Sequence, residues 1–248
     1  MLFRSEAPLE DGFILYKEMV DIRNIQSDAL PDAPFAFEIE DILQVFVWRW
    51  IKMTEENITN WVDNAIKQDE FKVRCEEGDI PDEEQRHSVS VIDIFASFNQ
   101  AIEKIADLQW DNDLQYAKFM TALSKIVGTG LSRYCDVVNT KFIAEMDRLT
   151  PEQEAAANQT RQERWMQMAK DAWSQRERIE PFNFYPTSFV KLNDVEFASR
   201  QLDKIEKEMN VDACVDVITR SAPPINQRQR KDTRYVFTIK IVDRKSVV

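Results

Sequence analysis

The sequence predicts an all-α protein, an elongated antiparallel helical bundle with one unfinished β-strand near its C-terminus. Three observations carry that prediction. Glycine is scarce, 4 in 248 residues, where about 7% is usual. Apolar residues recur at helical spacing through most of the chain. The breaks between those stretches carry helix start and stop residues. Tight turns between strands and phosphate-cradling loops need glycine at positive φ. The composition therefore argues against a β-barrel, a dinucleotide-binding α/β fold and a P-loop enzyme.

From Asp11 to about Ala29, Phe13, Ile14, Met19, Ile22 and Ile25 return at roughly helical spacing, and Leu30-Pro31-Asp32-Ala33-Pro34 breaks the helix. A second stretch opens near Glu38 and sets Ile39, Ile42, Leu43, Phe46, Trp50 and Met53 on one face. Thr54, followed by Glu55 and Glu56, reads as a fresh N-cap with acids in the first turn. A new helix is expected from there, carrying Ile58, Trp61, Val62, Ala65 and Ile66. Glu76 to Glu84, with Gly78 and Pro81, is an acidic loop. Val91, Phe95, Phe98, Ile102 and Ile105 then step 4, 3, 4, 3. That is a heptad-like seam suited to near-antiparallel helix packing, with Ser88 or Ser90 as the expected cap. Trp110-Asp111-Asn112-Asp113 turns the chain into a long helix from about 114 to 148, about 50 Å at the usual rise per residue. Gly128 and Gly130 inside it either kink it or let a neighbour approach closely.

Thr150-Pro151-Glu152-Gln153 is a helix start, and the Glu, Gln, Arg and Ala content up to Arg178 marks a more exposed helix. Pro181 to Pro186 is an aromatic loop. From about Thr187, Leu192, Val195, Leu202, Ile205 and Met209 resume helical spacing, and Asn210 caps a short final helix with Val211, Cys214, Val215 and Ile218. Pro223-Pro224 ends the helices. Residues 225–234 form a basic linker, and Tyr235 to Val242 alternates with period 2, the one expected strand. A lone strand is not stable by itself, so it reads as the start of a second domain that the chain does not finish.

A net charge of −12 argues against general nucleic-acid binding and against broad adhesion to acidic lipid. The 44% hydrophobic content is too high for a disordered chain. Cys75, Cys135 and Cys214 are odd in number and far apart, which fits a reducing compartment without a disulfide frame. No apolar signal region follows Met1 and no run of 18 apolar residues occurs. A cytoplasmic chain with no signal peptide or membrane span is expected.

His87, the sole histidine, precedes the seam helix in Arg86-His87-Ser88. A base needs a nucleophile nearby and a metal ligand needs partners at ligand spacing. Neither accompanies it, so a structural or capping role is expected. The acids of Glu38–Asp41 and Asp79–Glu84 lack an EF-hand pattern and read as solvated charge. No catalytic residue, metal or cofactor is predicted, and no enzymatic activity is expected. The basic linker reads as a spacer, with a juxtamembrane contact as the other reading. Asn99 stands apart. It lies on the seam helix beside Phe95, Phe98 and Ile102, where an amide is either a solvated flank group or one that faces a partner.

The stretch His87-Ser88-Val89-Ser90-Val91-Ile92-Asp93-Ile94-Phe95, continued by Phe98-Asn99-Gln100, resembles the first Munc homology domain of the MUN region in the uncoordinated-thirteen (Munc-thirteen) vesicle-priming proteins. Phe46-Val47-Trp48-Arg49-Trp50, Trp61-Val62-Asp63-Asn64-Ala65, Asp69, Phe71, Gly128 and Tyr134-Cys135-Asp136-Val137 are similar to the same domain in order and spacing. The resemblance covers roughly residues 12–220 and is nearest the fungal branch. Tyr235 to Val242 resembles the first strand of a C2 domain.

The resemblance implies a division into a helix of a preceding MUN subdomain (1–34), the first Munc homology bundle (35–220), a basic linker (221–234) and a truncated start of a C2 domain (235–248). It implies a stack of helices like those of tethering complexes. The implied role is non-enzymatic, binding syntaxin-type SNARE proteins or tethering subunits in vesicle priming and exocytosis. The implied place is cytoplasmic, peripheral at plasma-membrane or vesicle sites, with membrane contact only indirect or through the missing part of the C2 domain. In the family an Asn and a Phe one turn apart on the seam helix act on syntaxin. Asn99 matches the first and Ile102 stands where the Phe would be, so Asn99 and Ile102 are the implied partner-binding residues. The change at 102 makes a helical scaffold that has lost SNARE-opening activity the alternative. Val248 precedes any calcium-binding loop of a C2 domain, so calcium-dependent lipid binding is not expected.

Overall fold

The computed structural model describes residues 8–75, 79–83, 85–147 and 185–221. They form six helices: α1 (Leu9–Ala29), α2 (Ile39–Gln68), α3 (Val89–Ala106), α4 (Asp113–Met146), α5 (Pro186–Glu208) and α6 (Val211–Ser221). There is no strand among the described residues, and the expected all-α bundle is what they build. The expected helix start at Thr150, the exposed helix up to Arg178, the residues 181–184 of the aromatic loop, the basic linker and the strand from Tyr235 to Val242 lie outside the described residues. Of the aromatic loop, Tyr185 occupies the N-cap of α5 and Pro186 opens that helix, where its missing N–H costs nothing.

Side-chain bonds between helices give their directions. Gln115 donates to Asp41 at 2.7 Å, Lys125 to Glu55 at 3.1 Å and Arg133 to Asp63 at 2.7 Å, so α2 and α4 run parallel. α3 returns antiparallel to both, its first turn beside Asp69 and Tyr134 and its last beside Glu10 of α1. α5 then descends α4 from Glu145 past Tyr134. α6 continues along α4 and ends beside Asp111 and Leu114. One apolar cluster runs through all six helices, from Phe13 and Tyr16 of α1 to Ile205 of α5 and Cys214 of α6.

The seam helix follows the sequence pattern. Val91, Phe95, Phe98, Ile102 and Ile105 are all buried. Asn112 caps α4, its side chain accepting from the Gln115 N–H at 3.0 Å. α4 runs unbroken through both glycines. At Gly130 a Cβ would stand 2.9 Å from Ile58 Cγ1 and 3.0 Å from Phe98 Cζ, so this glycine serves close approach rather than a kink.

Three expectations are corrected. Thr54 does not start a helix. α2 is continuous for 30 residues and Thr54 is buried inside it, donating back to the Trp50 carbonyl at 2.9 Å. A mid-helix Thr can satisfy its hydroxyl that way. The apolar face through Ile51, Ile58 and Val62 carries the helix past the local cap signal. In α1 the apolar residues at helical spacing do not share a face. Phe13 is buried against α2, while Ile14, Ile22 and Ile25 are exposed. In α5, Leu192 and Val195 are 39% and 38% exposed, and Lys191 and Asp194 are buried in their place.

Candidate functional site

The N-terminus of α3 sits where α2, α4 and α5 converge, and its unpaired N–H groups are met by carboxylates. The Ser88 N–H donates to Asp194 Oδ1 at 2.8 Å and the Ser90 N–H donates to Asp69 Oδ2 at 3.0 Å. Ser88 holds the N-cap position, but no serine side chain caps the helix. The expectation of a Ser88 or Ser90 side-chain cap is thus replaced by two aspartates, Asp69 from the C-cap of α2 and Asp194 from inside α5. The reason is charge: a carboxylate at a helix N-terminus meets both the donors and the positive end of the macrodipole. The serine hydroxyls instead bond each other at 3.1 Å, and Ser90 Oγ lies 3.3 Å from the Tyr134 hydroxyl.

The two aspartates are tuned in opposite directions. Burial pushes the Asp194 carboxyl up to about 6, against hydrogen bonds from Ser88 and Tyr134 that favour its anion, with Asp69 adding like charge. At Asp69 burial acts the same way, but hydrogen bonds from Ser88, Ser90 and the Phe71 backbone outweigh it and hold the carboxyl below its usual range. Asp69 Oδ1 also takes the Phe71 N–H at 2.7 Å. That bond holds Phe71 at φ 52, a left-handed conformation rare for a bulky residue. The Phe71 ring is covered by Lys191 Nζ at 4.5 Å from its centroid. Lys191 in turn donates to Glu145 Oε1 at 2.6 Å, and Thr187 and Ser188 donate to the same carboxylate. Burial works to raise the Glu145 carboxyl, and these donors bring it below its usual range.

His87 borders this clasp. Its ring lies 4.6 Å from that of Phe197, and its Nδ1 is buried with no hydrogen-bond partner among the described residues. Burial, then the positive charges of Arg74 and Arg200, lower its pKa and keep it neutral. Among the described residues no cluster of His, Cys, Asp and Glu is arranged to hold a metal ion. No described helix is long and apolar enough to cross a membrane.

The implied pair on α3 divides between surface and core. Asn99 is half-buried, one turn beyond Phe95, which itself packs edge-on against Phe98 and Phe197 at 5.6 and 5.9 Å. Asn99 Oδ1 is buried with no hydrogen-bond partner among the described residues. A sealed acceptor of that kind costs about 1–3 kcal/mol unless something donates to it. Ile102 is 4% exposed and belongs to the core. Of the two, only Asn99 presents atoms to solvent.

The described residues pack six helices around one core, clasped at one end by buried carboxylates, and define an α-helical bundle domain. Residues 13–219 match the MUN domain, and the chain belongs to that family. It is similar to an uncharacterised protein of Schizosaccharomyces pombe, 25% identical over 203 residues that make up 82% of this chain and 16% of that protein. It is also similar to an uncharacterised protein of Saccharomyces cerevisiae, 22% identical over 125 residues, 50% of this chain and 9% of that one. The chain thus spans under a fifth of the length of these relatives.

The sequence singles out His87, Ser88 and Ser90, and Asp69 and Tyr134 only as matches to the family, but not Asp194, Lys191 or Glu145. Asp194 and Lys191 were hidden because they occupy core-facing positions of α5 where an apolar residue is the rule. A run of Ser and His immediately before a strongly apolar helix was the available signal for a buried polar clasp.

Proposed function

We propose that the chain is a SNARE-regulating or tethering module in vesicle priming, acting by binding and without bond-making chemistry. Membership of the MUN family supports the class of role, and the Asn99 amide supports the place. In this reading Asn99 contacts a syntaxin-type SNARE helix or a tethering subunit through the part of its side chain that is exposed. Ile102, packed behind the same helix, holds α3 in position. The module works in the cytoplasm at plasma-membrane or vesicle sites, as the first Munc homology bundle of a longer array with a C2 domain after it.

Capture of purified SNARE motifs tests this. Syntaxin-type motifs are expected to bind at micromolar concentration, and Asn99→Ala is expected to weaken binding about tenfold with no loss of thermal stability, since it removes an unpaired acceptor. Absence of binding to any SNARE motif or tethering subunit overturns the proposal. A collapse of the melting temperature in Asn99→Ala makes Asn99 a packing residue instead.

The position of Ile102 favours a second reading, a scaffold without SNARE-opening activity. A 4% exposed aliphatic offers a partner little surface where the resemblance implies a Phe. Activity gained by Ile102→Phe supports a decayed priming module, and no gain leaves the scaffold.

A further inference from the structure

α1 is apolar on two opposite sides. Phe13 and Tyr16 are buried against the bundle, at 6% and 1% exposure. Ile22 and Ile25 point the other way and are 51% and 68% exposed, with Leu15 at 36% on one edge and Ile14, 58% exposed, on the other edge, where it lines the groove between α1 and the end of α3. At 3.6 residues per turn these four lie on one outward face that runs along three turns of the helix. Single exposed aliphatics need no explanation, but a continuous strip on one helix is an interaction surface.

The polar residues on the same face share one sign. Asp11, Glu18, Asp21 and Asp28 are exposed there, and none is ion-paired to a described residue. Of the two basic residues of α1, Arg23 is turned away to Glu40 at 3.0 Å, and Lys17 stands at the border of the face, beside Ile14 in the groove that α1 makes with the end of α3. A strip of isoleucine between rows of carboxylate has a definite complement. It calls for an apolar ridge flanked by cations. A second copy of this face would set carboxylate against carboxylate, and an anionic lipid surface would do the same.

We propose that the outward face of α1 docks a basic amphipathic helix of a partner protein. The partner's apolar ridge, at i, i+4 and i+7 or i+8, packs along Ile14, Ile22 and Ile25. Its lysines and arginines reach Asp11, Glu18, Asp21 and Asp28. The carboxylates steer the encounter and fix the register, and the isoleucines supply the desolvated area. The site is on a different helix from Asn99 and stands independently of the SNARE reading.

Fluorescence anisotropy of the full chain with three labelled synthetic peptides tests it. One is a leucine–lysine amphipathic helix, one carries glutamate for lysine, and one has the lysine peptide's composition in an order without a helical apolar face. The amphipathic lysine peptide is expected to bind at least about tenfold tighter than either control, and more weakly as salt is raised. Ile22→Ser with Ile25→Ser, and separately Glu18→Gln with Asp21→Asn, are each expected to cut that affinity about tenfold while helix content and melting temperature hold. Equal binding of the scrambled or glutamate peptide overturns the proposal. So does unchanged affinity in the isoleucine variant, and so does no binding at all. Sedimentation of the chain alone as a dimer that the isoleucine variant dissolves assigns the face to a second copy and also overturns it.

Discussion

The Tyr134 hydroxyl donates to Asp194 Oδ2 across 3.2 Å between α4 and α5, and neither residue has measurable solvent exposure. Burial, followed by the adjacent Asp194 charge, raises the phenol's pKa, so the hydroxyl stays a donor at any physiological pH. Replacing it with Tyr134→Phe keeps the ring in place and leaves the buried carboxylate one donor short. A loss of about 1–3 kcal/mol is expected, read as a lowered denaturant midpoint with an unchanged slope. An unchanged midpoint means the bond contributes nothing net.

The pH dependence follows from Asp194. Its folded pKa of about 6 is above the unfolded value, so the folded state holds the proton more tightly. The stability this group contributes is complete below about pH 4 and is lost as pH rises through about 6, a change of up to about 3 kcal/mol. Asp69 and Glu145 are shifted downward, so their contribution is lost only at more acid pH. His87, with a lowered pKa, works against Asp194 in the upper part of the window, because acid charges it outside the fold first. Comparing each pH point with Asp194→Asn isolates the aspartate. The difference in unfolding free energy between native chain and variant is expected to shrink as pH rises from about 4 to about 7. A difference that stays constant means Asp194 does not titrate there.

Legibility in the sequence tracked whether the core positions were apolar. α3 was readable because Val91, Phe95, Phe98, Ile102 and Ile105 are apolar at every seam position and all go inside. α5 misled because Lys191 and Asp194 fill inward positions, so the apolar residues Leu192 and Val195 appeared to define the face. α1 misled for the opposite reason, since apolar residues stand on both sides, Phe13 and Tyr16 on one and Ile22 and Ile25 on the other, and periodicity cannot say which side is covered. Thr54 carries a true local cap signal that long-range packing overrides. The clasp itself joins residues up to 106 apart, Ser88 with Asp194, and no spacing rule reaches that far. Asn99 stands out by its place on the seam helix, but spacing leaves a solvated flank and a partner contact both open, and only the family resemblance points to a partner.

Lys191 and Glu145 are expected to behave as one unit. The lysine side chain is 3% exposed and the glutamate 20%, with 2.6 Å between Nζ and Oε1. Lys191→Met keeps most of the stem over Phe71 but leaves the carboxylate to Thr187 and Ser188 alone. Removing one partner of a buried pair costs about 3–5 kcal/mol, and partial exposure of Glu145 puts the expected loss at the low end. Lys191→Met with Glu145→Gln is expected to be more stable than the sum of the single losses by about 0.5–3 kcal/mol. Strict additivity in thermal unfolding shows that the two charges do not couple.

The glycines of α4 set two expectations of opposite sign two residues apart. At Gly128, which is half-exposed, Gly128→Ala gains helix propensity of up to about 1 kcal/mol. At Gly130 the same gain meets Ile58 at 2.9 Å and Phe98 at 3.0 Å, where overpacking costs about 1–3 kcal/mol. Gly130→Ala is therefore expected to lower the melting temperature and Gly128→Ala to raise it. The Phe98 atom in the way is the ring tip, so Phe98→Leu is expected to cost less in the Gly130→Ala background than in the native one. If Gly130→Ala stabilises the chain, or if Phe98→Leu costs the same in both backgrounds, then α4 does not pass α2 and α3 as closely as Gly130 allows.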